Sequence, residues 1–160
     1  MINKHINDLL EHAENNLLFA EKELSRPSEH TVTITVCHSS NNAIREYLVA
    51  LIAYNYSLEY PQDELIRESL NKIKSWDINH LVEYASKLDS RFATLDLSNV
   101  NCAAIEKENA SDVYCLSIDK VRKCSDTAKE IARLVHEYIN STKQPRDNAQ
   151  LHQLMQLALN

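Results

Sequence analysis

Two lines of polar side chains in this sequence have types and spacings that suit chemistry. His5, Asp8 and His12 recur at i, i+3 and i+7, which on a helix is one face. Two imidazoles and a carboxylate on one face are a ligand set for a divalent metal. That face lies about 100° around the helix from the apolar stripe Ile2, Ile6, Leu9. The expectation is therefore a solvated surface, with nothing behind it to orient the imidazoles, and no metal site is assigned. The second line is His38, Asn42 and Arg45, at i, i+4 and i+7 within VCHSSNNAIREYLVALIAYNY. It lies opposite the apolar residues Cys37, Ile44, Leu48 and Leu51. A polar line on a central helix must face water, a partner helix or a ligand groove.

Two further histidines stand apart. His80 is near a helix start in DINHLVEYASKL, where Asp77 or a backbone group is within reach of it, and it is kept as a ligand contact. His136, in ARLVHEYI, reads as a structural histidine. There is no Gly-x-Ser-x-Gly and no glycine for a phosphate-cradling loop. No pair of carboxylates stands out for acid–base work. The four cysteines, at 37, 102, 115 and 124, form no Cys-x-x-Cys pair. They are expected to be structural free thiols of a reducing compartment.

These residues need elements to hold them. Ile2, Ile6, Leu9, Ala13, Leu17, Ala20 and Leu24 predict an amphipathic helix over residues 2–24. Ser25, Pro27 and Ser28 end it. HTVTITVC, residues 30–37, alternates like a strand, in β-branched residues. No other segment could pair with it, and a lone strand leaves its backbone groups unpaired. It reads instead as the first two turns of a central helix over 30–57, with an extended lead-in as the alternative. Pro61 breaks the chain. A short helix follows over 62–73, with Leu65, Ile66, Leu70 and Ile73 inward. Another begins after Ser75 or Asp77 and fades near Phe92. Residues 93–110 form a long connection. The last main helix runs from Ser111 or Asp112 to Asn140, with Tyr114, Ile118, Val121, Ala128, Ile131, Val135 and Tyr138 inward. A short apolar tail, Leu151, Leu154, Met155 and Ala158, closes the sequence.

The totals agree with this plan. The 160 residues suffice for one core. Glycine is absent, which disfavours the tight hairpins of β-rich folds. The expected fold class is an all-α antiparallel bundle of four to five main helices over residues 1–144, with a C-terminal amphipathic tail over 145–160. The net charge of −6 opposes general binding of nucleic acid. No apolar run reaches the ~20 residues of a membrane span. The N-terminus lacks the apolar core of a signal peptide, so a cytoplasmic protein without membrane association or cofactor is the expectation.

The run CHSSNNAIREYLVALIAY followed by DINHLVEYASKL resembles the HEPN family of small helical-bundle domains. Cys37, His38, Ser39, Asn41, Asn42, Ala43, Tyr47, Leu48, Ala50, Leu51 and Ile52 occupy places of its second-helix motif. His80 and Leu81 match its later His-x-Leu element. Arg45 and Glu46 reverse the Glu-Lys pair of the motif, and Val49 replaces its second lysine. Catalytic members carry Arg-x(4–6)-His as metal-independent ribonucleases. Arg91 falls in the corresponding region, but no histidine follows it in range. Arg146 and His152 have the spacing yet lie in the tail.

The resemblance therefore implies a non-catalytic binding or interaction module, homodimeric, taking a nucleotide or RNA end near His38, Asn42, Arg45, His80 and Arg91. The alternatives it leaves are a ribonuclease toxin paired with a minimal nucleotidyltransferase, and a purely structural partner subunit.

Overall fold

The computed structural model describes residues 2–100 and 117–142. Within them it is an all-α bundle, with no strand. Its helices are α1 (Lys4–Leu24), α2 (Thr33–Ser57), α3 (Asp63–Ile73), α4 (Ile78–Leu88) and α5 (Ile118–Ser141). Short 3₁₀ turns stand at Ser28–His30 and Ser90–Thr94.

Each helix has a local cause. Asn3 caps α1, its side chain accepting from the His5 amide at 2.8 Å. The buried residues of α1 are Ile6, Leu10, Ala13, Leu17 and Ala20, spaced by four and three. Leu9, expected in this stripe, is only half-buried, and Leu10 takes its place in the core. Asp77 caps α4 by accepting from the His80 amide at 2.7 Å. Asp63 and Glu64 stand in the first turn of α3, where they complement the helix dipole. Among the described residues none has positive φ. The helices α1, α2 and α3 end instead on Ser25, Leu58 and Lys74 in right-handed geometry, as a chain without glycine must manage.

The central helix starts later than the sequence predicts. His30 belongs to a 3₁₀ turn and Thr31 is extended. Val32 precedes the first helical residue, Thr33. Both readings of HTVTITVC thus hold in part: its first residues are a lead-in and its last five are helix. Glu23 accepts the Val32 amide at 2.9 Å, so the lead-in is anchored to α1 and needs no second strand.

From Tyr47 to Asn55, α2 is buried on every side. It is the axis of the bundle, flanked by α1, α3, α4 and α5. α1 runs antiparallel to it, as the bond from the Tyr47 hydroxyl to Glu14 and the contact of Ala20 with Val36 and Cys37 require. α5 runs parallel to it. Val121 packs near Val36 and Cys37, while the Tyr138 hydroxyl donates to Asn55 Oδ1 at 2.7 Å.

The last helix begins at Ile118 and not at Ser111 or Asp112, because Ser117 is extended at ψ 123°. Tyr114, most of the 93–110 connection, the Arg146/His152 pair and the 145–160 tail lie outside the described residues. Among the described residues no helix is long and apolar enough to cross a membrane.

The cysteines divide. Cys124 is a buried free thiol, and burial pushes it up to about 12. Cys37 is not free but disulfide-bonded. Cysteine spacing carries no information on which side chains meet in space, so this pairing was invisible in the sequence. Disulfides belong to oxidising compartments. The expectation of free thiols in a reducing compartment therefore fails at Cys37 and holds for Cys124 only as to its free thiol.

Candidate functional site

The site is built on Arg45. α2 brings it to the point where α3 ends and α4 begins, and its Nη1 donates to the Trp76 carbonyl at 2.5 Å. Arg45 lines two cavities. The first is an open cleft of about 600 Å³ between α1, α2 and α3. The second, about 470 Å³, lies between α2, the start of α4 and residues 97–100. Asn41 borders the second cavity and ties α2 to that loop, its Nδ2 donating to the Val100 carbonyl at 2.5 Å.

Two helices wall the cleft with the same spacing. From α1 come His5, Asp8, Leu9 and His12, and from α3 come Arg67, Leu70, Asn71 and Lys74. Both sets are i, i+3, i+4 and i+7, one face of a helix. α2 supplies Arg45, Glu46 and Val49 between them. The His5, Asp8, His12 face is solvated as expected, with Asp8 and His12 exposed and His5 half-buried, and it also forms one wall of the open cleft. α3 stands on the far side of the cleft and meets this face at its start, where His5 lies 3.4 Å from Asp63. Among the described residues no group of three or more His, Cys, Asp or Glu side chains is placed to share a metal ion.

The imidazoles have partners. His5 Nε2 lies 3.4 Å from Asp63 and His12 Nδ1 lies 3.2 Å from Glu46. Asn16 also donates to Glu46, at 3.3 Å. Asp63 titrates below the usual carboxylate range, first because Asn3 donates to it at 2.9 Å and then because of His5. Leu9, Val49 and Leu70 give the cleft an apolar base. Three cationic side chains (Arg45, Arg67 and Lys74) line it against two carboxylates, Asp8 and Glu46. The local balance is positive in a chain of net charge −6.

The residues singled out from the sequence are not all brought together. His38 and Asn42 are exposed on α2, two turns and one turn before Arg45, and line neither of its cavities. His80 joins Arg45 indirectly: its imidazole stacks on the Trp76 indole at 4.2 Å and 5°, and Trp76 is the residue whose carbonyl Arg45 holds. Arg91 is elsewhere. Asp89 accepts from it at 2.9 Å and Glu137 of α5 at 2.5 Å, and it lines neither cavity of Arg45. Those bonds, Asp89 first, raise the Arg91 pKa further and hold Glu137 below the usual carboxylate range. An arginine whose donors are taken by two carboxylates has fewer left for a phosphate.

Sequence reasoning missed Arg67 and Lys74. The signal was present in the matching spacing of the α1 and α3 faces. Nothing local shows that residues about 60 apart will face each other.

Behind α1, the buried ring of Tyr47 meets His136 edge-on at 5.6 Å. Its hydroxyl donates to Glu14 at 2.7 Å. Burial, then Glu14, pushes the Tyr47 pKa up. The phenol therefore stays protonated and acts as a brace between α1, α2 and α5.

Comparison with protein-family models, with characterised proteins and with solved structures finds no match for this chain.

Proposed function

We propose that this protein is a HEPN-like, non-catalytic binding module that takes a nucleotide in the cleft between α1, α2 and α3. The observation that supports it best is the trio Arg45, Arg67 and Lys74 around an apolar base of Leu9, Val49 and Leu70. Arginine and lysine recognise phosphate by charge-assisted hydrogen bonds. Apolar surface beside them suits a sugar or base, and about 600 Å³ is within the usual range of ligand pockets. Of the residues first singled out, Arg45 carries the reading. His80 and Trp76 support it by fixing the turn that Arg45 grips. Arg91, paired with Asp89 and Glu137, speaks against the ribonuclease alternative.

Melting measured across a panel of nucleotides tests the reading. A ligand at 100 times its Kd stabilises the native state by about 2.7 kcal/mol, which is roughly 5–10 °C for a chain of this size. Arg45→Ala should abolish the shift. A panel in which no nucleotide shifts the melting point sinks the reading. Metal-independent cleavage of RNA that disappears on Arg91→Ala would replace it with the ribonuclease alternative.

The same proposal includes self-association. Leu18 and Phe19 on α1 are about half exposed, at 51% and 52%, and are the apolar side chains a second copy would cover. Light scattering of the wild type and of Phe19→Ser checks this. A monomer at high wild-type concentration removes the dimer from the proposal.

A further inference from the structure

The charges of the cleft are not spread evenly along it, and their arrangement specifies a ligand more narrowly than a nucleotide. The contact of His12 with Glu46, at 3.2 Å, marks one end. Arg45 is there too, beside Glu46 and bonded to Trp76 just past the end of α3. Lys74, the last residue of the α3 wall, is therefore at this end. The contact of His5 with Asp63, at 3.4 Å, marks the other. Arg67 stands one turn after Asp63 and is at that end. Arg67 and Lys74 are seven residues apart on one helix face, so their backbones are about 10 Å apart along the axis. Between the two cationic ends lie the apolar base and the Asp8 carboxylate.

We infer that the cleft takes a small molecule with two separated phosphoryl groups, one held by Arg45 and Lys74 and the other by Arg67. This rests on the nucleotide reading above and narrows it. A single phosphate uses one end only. Two adjacent phosphates, as in a diphosphate, crowd one end and do not reach Arg67. Two phosphates on separate arms of a sugar reach both ends. The middle of such a ligand rests on Leu9, Val49 and Leu70, where Asp8 can accept from a hydroxyl. Asp63 accepts from Asn3 and lies 3.4 Å from His5; it also attracts Arg67, so the second phosphate shares Arg67 with this carboxylate.

Three probes share the adenosine scaffold and separate spacing from charge: adenosine 5′-monophosphate, adenosine 5′-diphosphate and adenosine 3′,5′-bisphosphate. Titration calorimetry on the full chain at fixed ionic strength gives their affinities. The expected result is that the 3′,5′-bisphosphate binds at least ~10-fold tighter than the diphosphate, a difference of about 1.4 kcal/mol. Arg67→Ala should erase that advantage, bringing the 3′,5′-bisphosphate down to the affinity of the diphosphate. Arg67 is exposed, so the variant should fold, which circular dichroism verifies. Equal binding of diphosphate and 3′,5′-bisphosphate overturns the two-ended site and leaves the nucleotide reading standing. So does an Arg67→Ala variant that weakens all three probes alike. Binding of none of the three overturns both.

Discussion

The buried pair Asn55 and Tyr138 provides a test of the fold's polar interior. Asn55 is wholly buried and Tyr138 is 2% exposed. The Tyr138 hydroxyl donates to Asn55 Oδ1 at 2.7 Å, while Asn55 Nδ2 has no hydrogen-bond partner. In Tyr138→Phe the amide loses its remaining bond, and both its ends are left buried and unsatisfied. An unsatisfied buried polar group costs about 1–3 kcal/mol, so a loss of about 2 kcal/mol is expected. That is roughly 4–8 °C in Tm for a chain of this size. In the double variant Asn55→Leu with Tyr138→Phe, both partners become apolar at similar volume. Such a replacement is close to neutral, so the double variant should be more stable than Tyr138→Phe alone. The coupling between the two sites should be about 1–2 kcal/mol. Urea titrations with an unchanged slope measure all four proteins. A Tyr138→Phe variant within ~0.5 kcal/mol of wild type, or strictly additive losses, would refute the account of the α2–α5 seam given above.

Other variants probe separate parts of the molecule. Asp77→Ala removes the cap of α4 and should cost about 1 kcal/mol; tryptophan fluorescence should change with it, since Trp76 is the sole indole and is stacked on His80. Cys124, buried and titrating near 12, has almost no thiolate near neutrality, so iodoacetamide should label it only in denaturant; labelling in the native state within minutes would contradict its burial. Glu137 is held below the usual carboxylate range by Arg91 and then Arg133. A group depressed in the folded state stabilises above its unfolded pKa and loses that contribution as pH falls through its folded pKa. Stability should therefore fall as pH drops below the ordinary glutamate range. Arg91→Ala should flatten that part of the pH–stability curve, and an unchanged curve would mean the pair is too exposed to matter.

The fold was legible where one helix carried its own evidence. The 3–4 spacing of Ile6, Ala13, Leu17 and Ala20 placed α1 without reference to any neighbour. Pro61 and Asp77 marked a break and a cap that depend only on nearby backbone. What failed was nonlocal. Leu9 and Leu10 are adjacent leucines inside α1, and only the packing of α1 on its neighbours makes one a cleft wall and the other core. The lead-in 30–32 was read against missing strands, whereas its anchor is the Glu23 carboxylate. Arg91 matched a motif position, but its environment is set partly by Glu137, 46 residues away. Asp89, two residues before it, was the one local hint. The cleft itself needed two faces with the same spacing to be recognised as opposite walls.

Charge decides between a small ligand and a long nucleic acid in that cleft. A polyanion feels the whole surface, and here the whole carries −6. Beyond about 8–10 Å salt screens each charge, so the acidic surface acts on the phosphates nearest to it. An RNA strand leaving the cleft would lay its next phosphates against Asp63 or Glu46, which stand beside the two cationic ends. Binding by counterion release needs many phosphate contacts, and the cleft offers three cations. On the proposed reading, a compact ligand meets those three cations and only the carboxylates of the cleft itself, Asp8 and Glu46. Its affinity should therefore fall only modestly with salt, with a slope set by two or three contacts. On the proposed nucleotide reading, a measured salt slope of about six or more contacts would instead favour a longer polyanion.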